Sequence, residues 1–331
     1  MLRFLLILVL LLAGGAAAAW YDYDRFLTTP VAIDGDGKTF TIERGWSARR
    51  VSKELVAEGL IDKPHWFDIY MRVSGKSAAI KSGEFVLDNL LTVPELVDVF
   101  IAGHTRQYTH SIIEGVNWRQ MLMRLATAEM LGQTLDSVNE NTLMAAIGYP
   151  DLHPEGQFFS DTYRYPKNTN DVEYLKRAKR TLDQVLAEEW DLRDPDLPLE
   201  NSYQALILAS IVEKETAVAA ERPLIAGVFL SRLKKRMRLQ TDPTVIYGMG
   251  ERYDGNIRRS DLTTDTPYNT YTRAGLPPSP IAMVGREAIH AVLHPEATQS
   301  LYFVARGDGT HQFSETIEQH NAAVRKYQLR R

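Results

Sequence analysis

The chain has 331 residues, 44% of them apolar and 24% charged, with a formal net charge of −4. This is the composition of a folded protein long enough for more than one compact unit, and the near balance of charge excludes the dominant basic face of a nucleic-acid binder. No cysteine occurs, so disulfides, thiolate metal sites, cysteine nucleophiles and a lipidated-cysteine anchor are excluded too.

Phe4 to Trp20 is a run of 17 apolar residues without a charge, at the short end of what spans a bilayer as a helix. Arg3 precedes it and the acidic stretch Tyr21 to Asp24 follows, a charge order that leaves the N-terminus inside and exports the rest. A cleaved signal peptide is the alternative, since Ala16 to Ala19 supply small residues for a cleavage site. Both readings export the body of the chain. Residues 1–20 are thus expected as a transmembrane anchor and 21–37 as a juxtamembrane linker. The linker ends in Asp34-Gly35-Asp36-Gly37, which reads as a tight turn; Lys38 and Phe40 stand where a calcium loop would need further ligands.

From Lys38 a strand and turn are expected, then a helix over 46–59 with Val51, Leu55 and Val56 inward and Gly59 at its C-cap. A second helix starts near Pro64 and ends at Gly75; residues 82–87 read as a strand. A further helix follows Thr92, a plausible N-cap. The order strand, helix, helix, strand over 38–90, with "ERGWSARRVSKELVAEG" inside it, resembles a LysM module, a small fold known for binding peptidoglycan. The added helix at 93–102 is not standard for it, and a plain structural α+β unit over 38–104 is the other reading.

Residues 107–126 read as a strand and a helix capped by Asn117, and 131–150 as helical. The stretch "HPEGQFFSDTYRYP" (153–166) reads as a loop whose Glu155, Asp161, Tyr163 and Tyr165 suit sugar binding, or which lids a core. Residues 170–189 form an amphipathic helix with Val172, Leu175, Ala178, Leu182 and Val185 on one side.

A helix from near Ser202 carries Leu208, Ile211 and Val212 at helical spacing, and the next member of that stripe is Glu215. Glu213, two positions earlier, points about 200° away and continues the row of Leu206, Ala209 and Ser210. A carboxyl at the end of an apolar stripe is desolvated, which raises its pKa and lets it donate a proton near neutral pH. A satisfied cap or an ion pair is the structural alternative. Pro223 opens another helix with Ile225, Val228, Phe229 and Leu233 inward and Arg232, Lys234, Lys235 and Arg236 near its end. Residues 238–248 and 266–282 then read as rigid loops, offering Gln240, Thr241, Asp242, Tyr268, Asn269, Thr270 and Tyr271 to sugar hydroxyls. His290 and His294 stand at metal-ligand spacing, but no glutamate follows His290 as a zinc protease requires, and they read as structural. No nucleophilic-serine, Walker or dinucleotide fingerprint occurs.

"LASIVEKETAVAAERPLIAGVFLSRLKKRMRLQTDPTVIYGMGERYDG", "YNTYTRAGLPPSPI" and "EGQFFSDTYRYP" resemble the YceG-like family of endolytic murein transglycosylases. The resemblance covers about residues 38 to 328, with its most specific strings between 153 and 282. It implies an α+β protein of the bacterial inner membrane: a single-pass anchor, a LysM-like module and a larger mixed α/β catalytic domain over 105–331 in the periplasm. The substrate implied is the glycan strand of peptidoglycan, cut at the β-1,4 bond between N-acetylmuramic acid and N-acetylglucosamine. The new ends carry 1,6-anhydro rings, nascent strand length is limited, and no cofactor or metal is used. The family's catalytic glutamate, the second of the "EKE" triplet, falls on Glu215. Gln240, Asp242, Asn269, Tyr271 and Glu155 are implied as substrate-binding, and peptidoglycan synthases as partners. Two alternatives stay open: a lysozyme-like hydrolase using Asp242, Glu155 or Asp161 as second carboxylate, and a non-catalytic wall-binding scaffold.

Overall fold

The computed structural model describes residues 2–329 apart from 32, 34–36, 89–90 and 136–138, and apart from the side chains of Leu2 and Asn141. The expected turn at Asp34-Gly35-Asp36 lies outside the described residues. The chain divides into two compact units, Met1–Tyr108 with Arg164–Thr169, and Thr109–Tyr163 with Asn170–Arg331.

The first unit begins with α1 (Leu2–Thr28), whose span Arg3–Thr28 has a mean hydropathy of 2.2 and is long and apolar enough to cross a membrane. The helix does not stop where a linker was expected. It continues to Thr28 because its last turns have something to pack on. Asp22 accepts from Lys63 Nζ at 2.5 Å and Trp66 Nε1 at 2.9 Å, and Phe26 joins the unit's core.

That core is built on β1 (Lys38–Ile42), α2 (Ala48–Ala57), α3 (Pro64–Val73), β2 (Gly83–Leu87) and α4 (Val93–Ala102). The expected order strand, helix, helix, strand is present, with β1 and β2 antiparallel and Phe40 opposite Phe85. Phe100 of α4 packs on both rings, at 5.6 and 5.0 Å between centroids. Val51 and Leu55 are buried as expected, whereas Val56 is 37% exposed. One residue on from Leu55, it is turned about 100° off the buried face.

β3 (Gln107–Ser111) leads into the second unit. There α5 (Trp118–Leu125) is capped by Asn117, whose side chain accepts from Gln120 N at 2.9 Å. The helix expected over 131–150 is shorter, α6 (Glu140–Ile147). Residues 162–166 are strand β4 (Thr162–Pro166) rather than loop, and alternation turns Tyr163 and Tyr165 into the interior. The sugar-stacking expectation for these two rings is therefore corrected: they are core.

Next come α7 (Asp171–Asp191), α8 (Ser202–Glu215), α9 (Arg222–Lys234), α10 (Asp242–Met249), α11 (Arg259–Thr263) and α12 (Arg286–Leu293). A hairpin of β5 (Tyr302–Ala305) and β6 (His311–Ser314), packed by α13 (Ile317–Tyr327), closes the chain. α8 packs against α7, α9, α10 and α12, and every residue from Ala205 to Val212 is buried. A helix apolar all round is a central helix. The single stripe expected to distinguish Glu215 from Glu213 is therefore not what separates them. Likewise, of the loop expected at 238–248, residues from 242 onward form α10, because Pro243 suits a helix start. Both units mix helices with short antiparallel strands, an α+β composition.

Candidate active site

Glu215 is the last residue of α8, which ends because Thr216 turns to extended backbone (φ −143°, ψ 137°). Its carboxylate Oε1 accepts a hydrogen bond from the Thr241 hydroxyl. Thr241 is buried and caps α10, and it is held in turn by two other threonines. Its amide donates to Thr270 Oγ1 at 3.1 Å, its carbonyl accepts from Thr244 Oγ1 at 2.8 Å, and the Thr244 and Thr270 hydroxyls lie 2.9 Å apart. A buried, fully bonded hydroxyl set of this kind gives the Glu215 carboxyl one fixed orientation.

The Glu215 carboxyl is pushed up to about 7, first by burial and then by the nearby Asp242 charge, against the Thr241 hydrogen bond and the His311 and Arg232 charges, which pull it down. Among the described residues no lysine or arginine nitrogen lies within 4.0 Å of it. Glu213 differs. Burial raises it also, but it pairs with Arg222 Nη2 at 3.3 Å, and Arg222 is further held by Glu287. One glutamate has a cation as its partner and the other a hydroxyl.

Glu215 opens onto a cavity of about 510 Å³. Gln240, Asp242 and Tyr271, all expected from sequence, line the same space. Tyr271 OH donates to Asp242 Oδ1 at 2.6 Å, and burial with this bond raises the phenol's pKa. Gln240 holds a left-handed backbone (φ +49°), uncommon for a residue with a side chain, and its amide donates to Thr270 O at 3.2 Å.

Two expected residues stand apart. Asn269 is buried and spends its amide on backbone: Nδ2 donates to the carbonyls of Asp261, Leu262 and Thr264, and Oδ1 accepts from Tyr271 N at 2.9 Å. It shapes the loop that carries Tyr271. Glu155 is fully buried, accepts from Trp118 N at 3.1 Å, and is not among the residues lining the Glu215 cavity. Burial, opposed in part by the Trp118 amide, pushes its carboxyl up to about 8. Asp161 is exposed and accepts from its neighbour's amide at 2.6 Å.

Sequence reasoning missed three groups on or behind this cavity. Arg232 is buried, its Nε donating to Leu301 O and its Nη1 to Leu239 O, both at 2.6 Å. His311 on β6 donates Nδ1 to Glu221 Oε2 at 2.7 Å, and its amide donates to Glu221 Oε1 at 2.9 Å. Glu221 therefore fixes the ring and leaves Nε2 as its other polar atom. No local motif marks this pair, whose members are 90 positions apart.

A single carboxylic acid with a pKa near neutrality, oriented by a hydroxyl and facing a polar cavity, is equipped to give a proton and take one back. Known proteins match this chain over nearly its whole length. It is similar to the endolytic murein transglycosylase of Bacillus subtilis, at 30% identity over 92% of this chain and 89% of that protein. It is also similar to the endolytic murein transglycosylase of Streptococcus pneumoniae D39, at 25% identity over 94% of this chain; there it spans 62% of the longer relative. A crystal structure of a YceG-like protein from Listeria monocytogenes superposes with a TM-score of 0.53 at 29% identity, covering 87% of this chain and 99% of that one. The YceG-like family model matches residues 40–326, cavity and flanking helices included, and the chain belongs to that family.

Proposed function

We propose that this protein is an endolytic peptidoglycan lytic transglycosylase in which Glu215 is both acid and base. The observation that carries the reading is the buried carboxyl of Glu215, raised into the neutral range and held by the Thr241 hydroxyl, with no lysine or arginine nitrogen within 4.0 Å among the described residues. Protonated, it gives its proton to the glycosidic oxygen as the bond from that oxygen to the anomeric carbon of N-acetylmuramic acid breaks. The carboxylate then takes the proton of the same sugar's 6-hydroxyl, whose oxygen bonds to the anomeric carbon and closes the 1,6-anhydro ring. Proton and electron pairs balance without water, so no second carboxylate is required. Gln240, Asp242 and Tyr271 are the proposed substrate-positioning groups, with Asn269 acting through the Tyr271 loop. Glu155 is buried away from this cavity, and nothing in its contacts supports a role in holding sugar.

The hydrolase reading has one observation in its favour: Asp242 shares the cavity with Glu215. Incubating the protein with purified peptidoglycan and weighing the fragments by mass spectrometry separates the two. Ends one water lighter than reducing muramic acid, lost in Glu215→Gln, support the transglycosylase. Reducing ends overturn it in favour of a hydrolase. Fragments that persist unchanged in Glu215→Gln move catalysis off that residue.

The helix α1 supports a single-pass anchor, with the charge order around it favouring export of the body to the periplasmic side. The strand, helix, helix, strand order over 38–90 supports a LysM-like, glycan-binding role for the module at 38–104, ahead of a catalytic domain over 105–331. Synthases that build the same strands are the proposed protein partners.

A further inference from the structure

A second cluster of ligating side chains stands where α7 meets α12, away from the Glu215 cavity. Glu189, in the last turn of α7, is buried. Its Oε1 accepts from Arg286 Nη1 at 2.7 Å, and its Oε2 lies 2.8 Å from His290 Nδ1. His290 is on α12, and His294 is the residue that ends that helix, its amide donating to His290 O at 2.7 Å. His294 Nδ1 lies 3.2 Å from Asp194 Oδ1. The two imidazole centroids are 4.3 Å apart. One oxygen of Glu189 and one ring nitrogen of each histidine all fall within 4.8 Å of one another.

An ionised carboxylate can only accept, so each Nδ1 facing one carries the hydrogen, and the neutral ring keeps its lone pair on Nε2. One nitrogen held by a carboxylate and the other left for a cation is the usual state of a metal-binding histidine. The two histidines are also four residues apart, one in α12 and one at its cap, and their rings lie side by side, an arrangement that lets a pair share an ion. Charge favours it as well. Arg286 is shared between Glu188 and Glu189, at 2.8 and 2.7 Å, and Asp194 adds a further negative group.

We propose that His290 and His294 chelate a first-row divalent cation of the borderline class, of which Zn²⁺ is the probe. Glu189 and Asp194 orient the two rings from behind, and water completes the coordination. Two donors on Zn²⁺ lie about 3.4 Å apart, a separation comparable to that of the two rings, whose centroids are 4.3 Å apart. The orienting carboxylates sit on and just beyond α7 while the ligands sit on and just after α12, so the ion strengthens the carboxylate–imidazole hydrogen bonds that already join the two elements. The inference is independent of what the Glu215 cavity does.

The test is a calorimetric titration of the full-length protein, metal-free in detergent, with ZnCl₂, with Co²⁺ absorption as a second probe of coordination. The expected result is one equivalent of Zn²⁺ bound and a melting temperature that rises with added ion. His290→Ala and His294→Ala each weaken binding at least tenfold and abolish the thermal shift. Asp194→Asn, which removes no ligand, weakens it about tenfold through loss of ring orientation. His104→Ala, at an exposed histidine of the first unit, changes neither. Absence of stoichiometric binding overturns the proposal. So does binding of unchanged strength in the two histidine variants, which puts the ion elsewhere on the chain.

Discussion

Glu215 sits near pH 7 because burial raises it while the Thr241 hydroxyl pulls it partly back. Two expectations follow. As pH rises through about 7 the acid loses its proton, so the rate of glycan cleavage falls on the alkaline side with a midpoint near that value. Thr241→Val removes a hydrogen bond that favours the ionised form, so the midpoint moves to higher pH, while turnover drops about tenfold as the carboxyl loses its fixed orientation. Rates measured across pH for both proteins check this; an unmoved midpoint would mean that Thr241 is not the group tuning the acid. Stability carries the same signature with a definite sign. The folded value lies above the ordinary 4.5, so the folded state holds the neutral form, and stability is lost as pH climbs from about 4.5 to 7 and then stays level. Glu215→Gln escapes that loss. At pH 8 the variant is expected to be more stable by on the order of 1–3 kcal/mol, the gap closing at pH 4, as denaturant melts at the two values would read.

Among the elements, α8 and α9 carry the second unit's core and tolerate least. Gly227 on α9 lies so close to its neighbours that an added Cβ would come within 2.5 Å of Glu296 O and 3.1 Å of the Thr298 methyl. Gly227→Ala is expected to cost about 1–3 kcal/mol in urea denaturation even though alanine is the better helix former. Sequence periodicity found α5, α7, α8 and α9 to within a few residues, since caps such as Asn117 and prolines such as Pro223 mark their starts, but it read α10 as a loop. It could not see that α8 is enclosed on all sides, and so it credited Glu215 with a stripe that Glu213 shares. What separates the two glutamates is a tertiary fact, Arg222 beside one and Thr241 beside the other. The same blindness applies to Tyr163 and Tyr165, where an aromatic-rich string says nothing about which way a strand turns its rings. That Gln240, Asp242 and Tyr271 line one cavity was foreshadowed by polar residues punctuated by Pro and Gly, although Asp242 opens a helix where a loop was expected. His311 and Glu221 were not, because a pairing across 90 positions leaves no local pattern.

At the scale of the whole chain, α1 is two things in one helix. Its first part is exposed and apolar, while beyond Tyr21, Asp22 bonds Lys63 and Trp66 and Phe26 belongs to the first unit's core. Removing residues 1–20 is therefore expected to leave that unit's stability intact. Removing 1–28 deletes Phe26 and strands Lys63 and Trp66 without Asp22, and should lower the first unit's unfolding free energy by about 2–4 kcal/mol. Thermal melts followed by tryptophan fluorescence at Trp66 would report it; equal melts for the two truncations would show that the helix end is merely resting on the surface.

The place where α8 stops has one more effect. A helix accumulates a partial negative charge at its carboxyl end, where the last carbonyls point outward unpaired. Glu215 is the final residue of α8, so the peptide dipoles of the helix oppose its ionisation in the same direction as burial does. Had the sequence placed this glutamate in the first turn of a helix, the same dipoles would have helped to strip its proton away. Where the backbone stops coiling is thus part of what makes the side chain an acid.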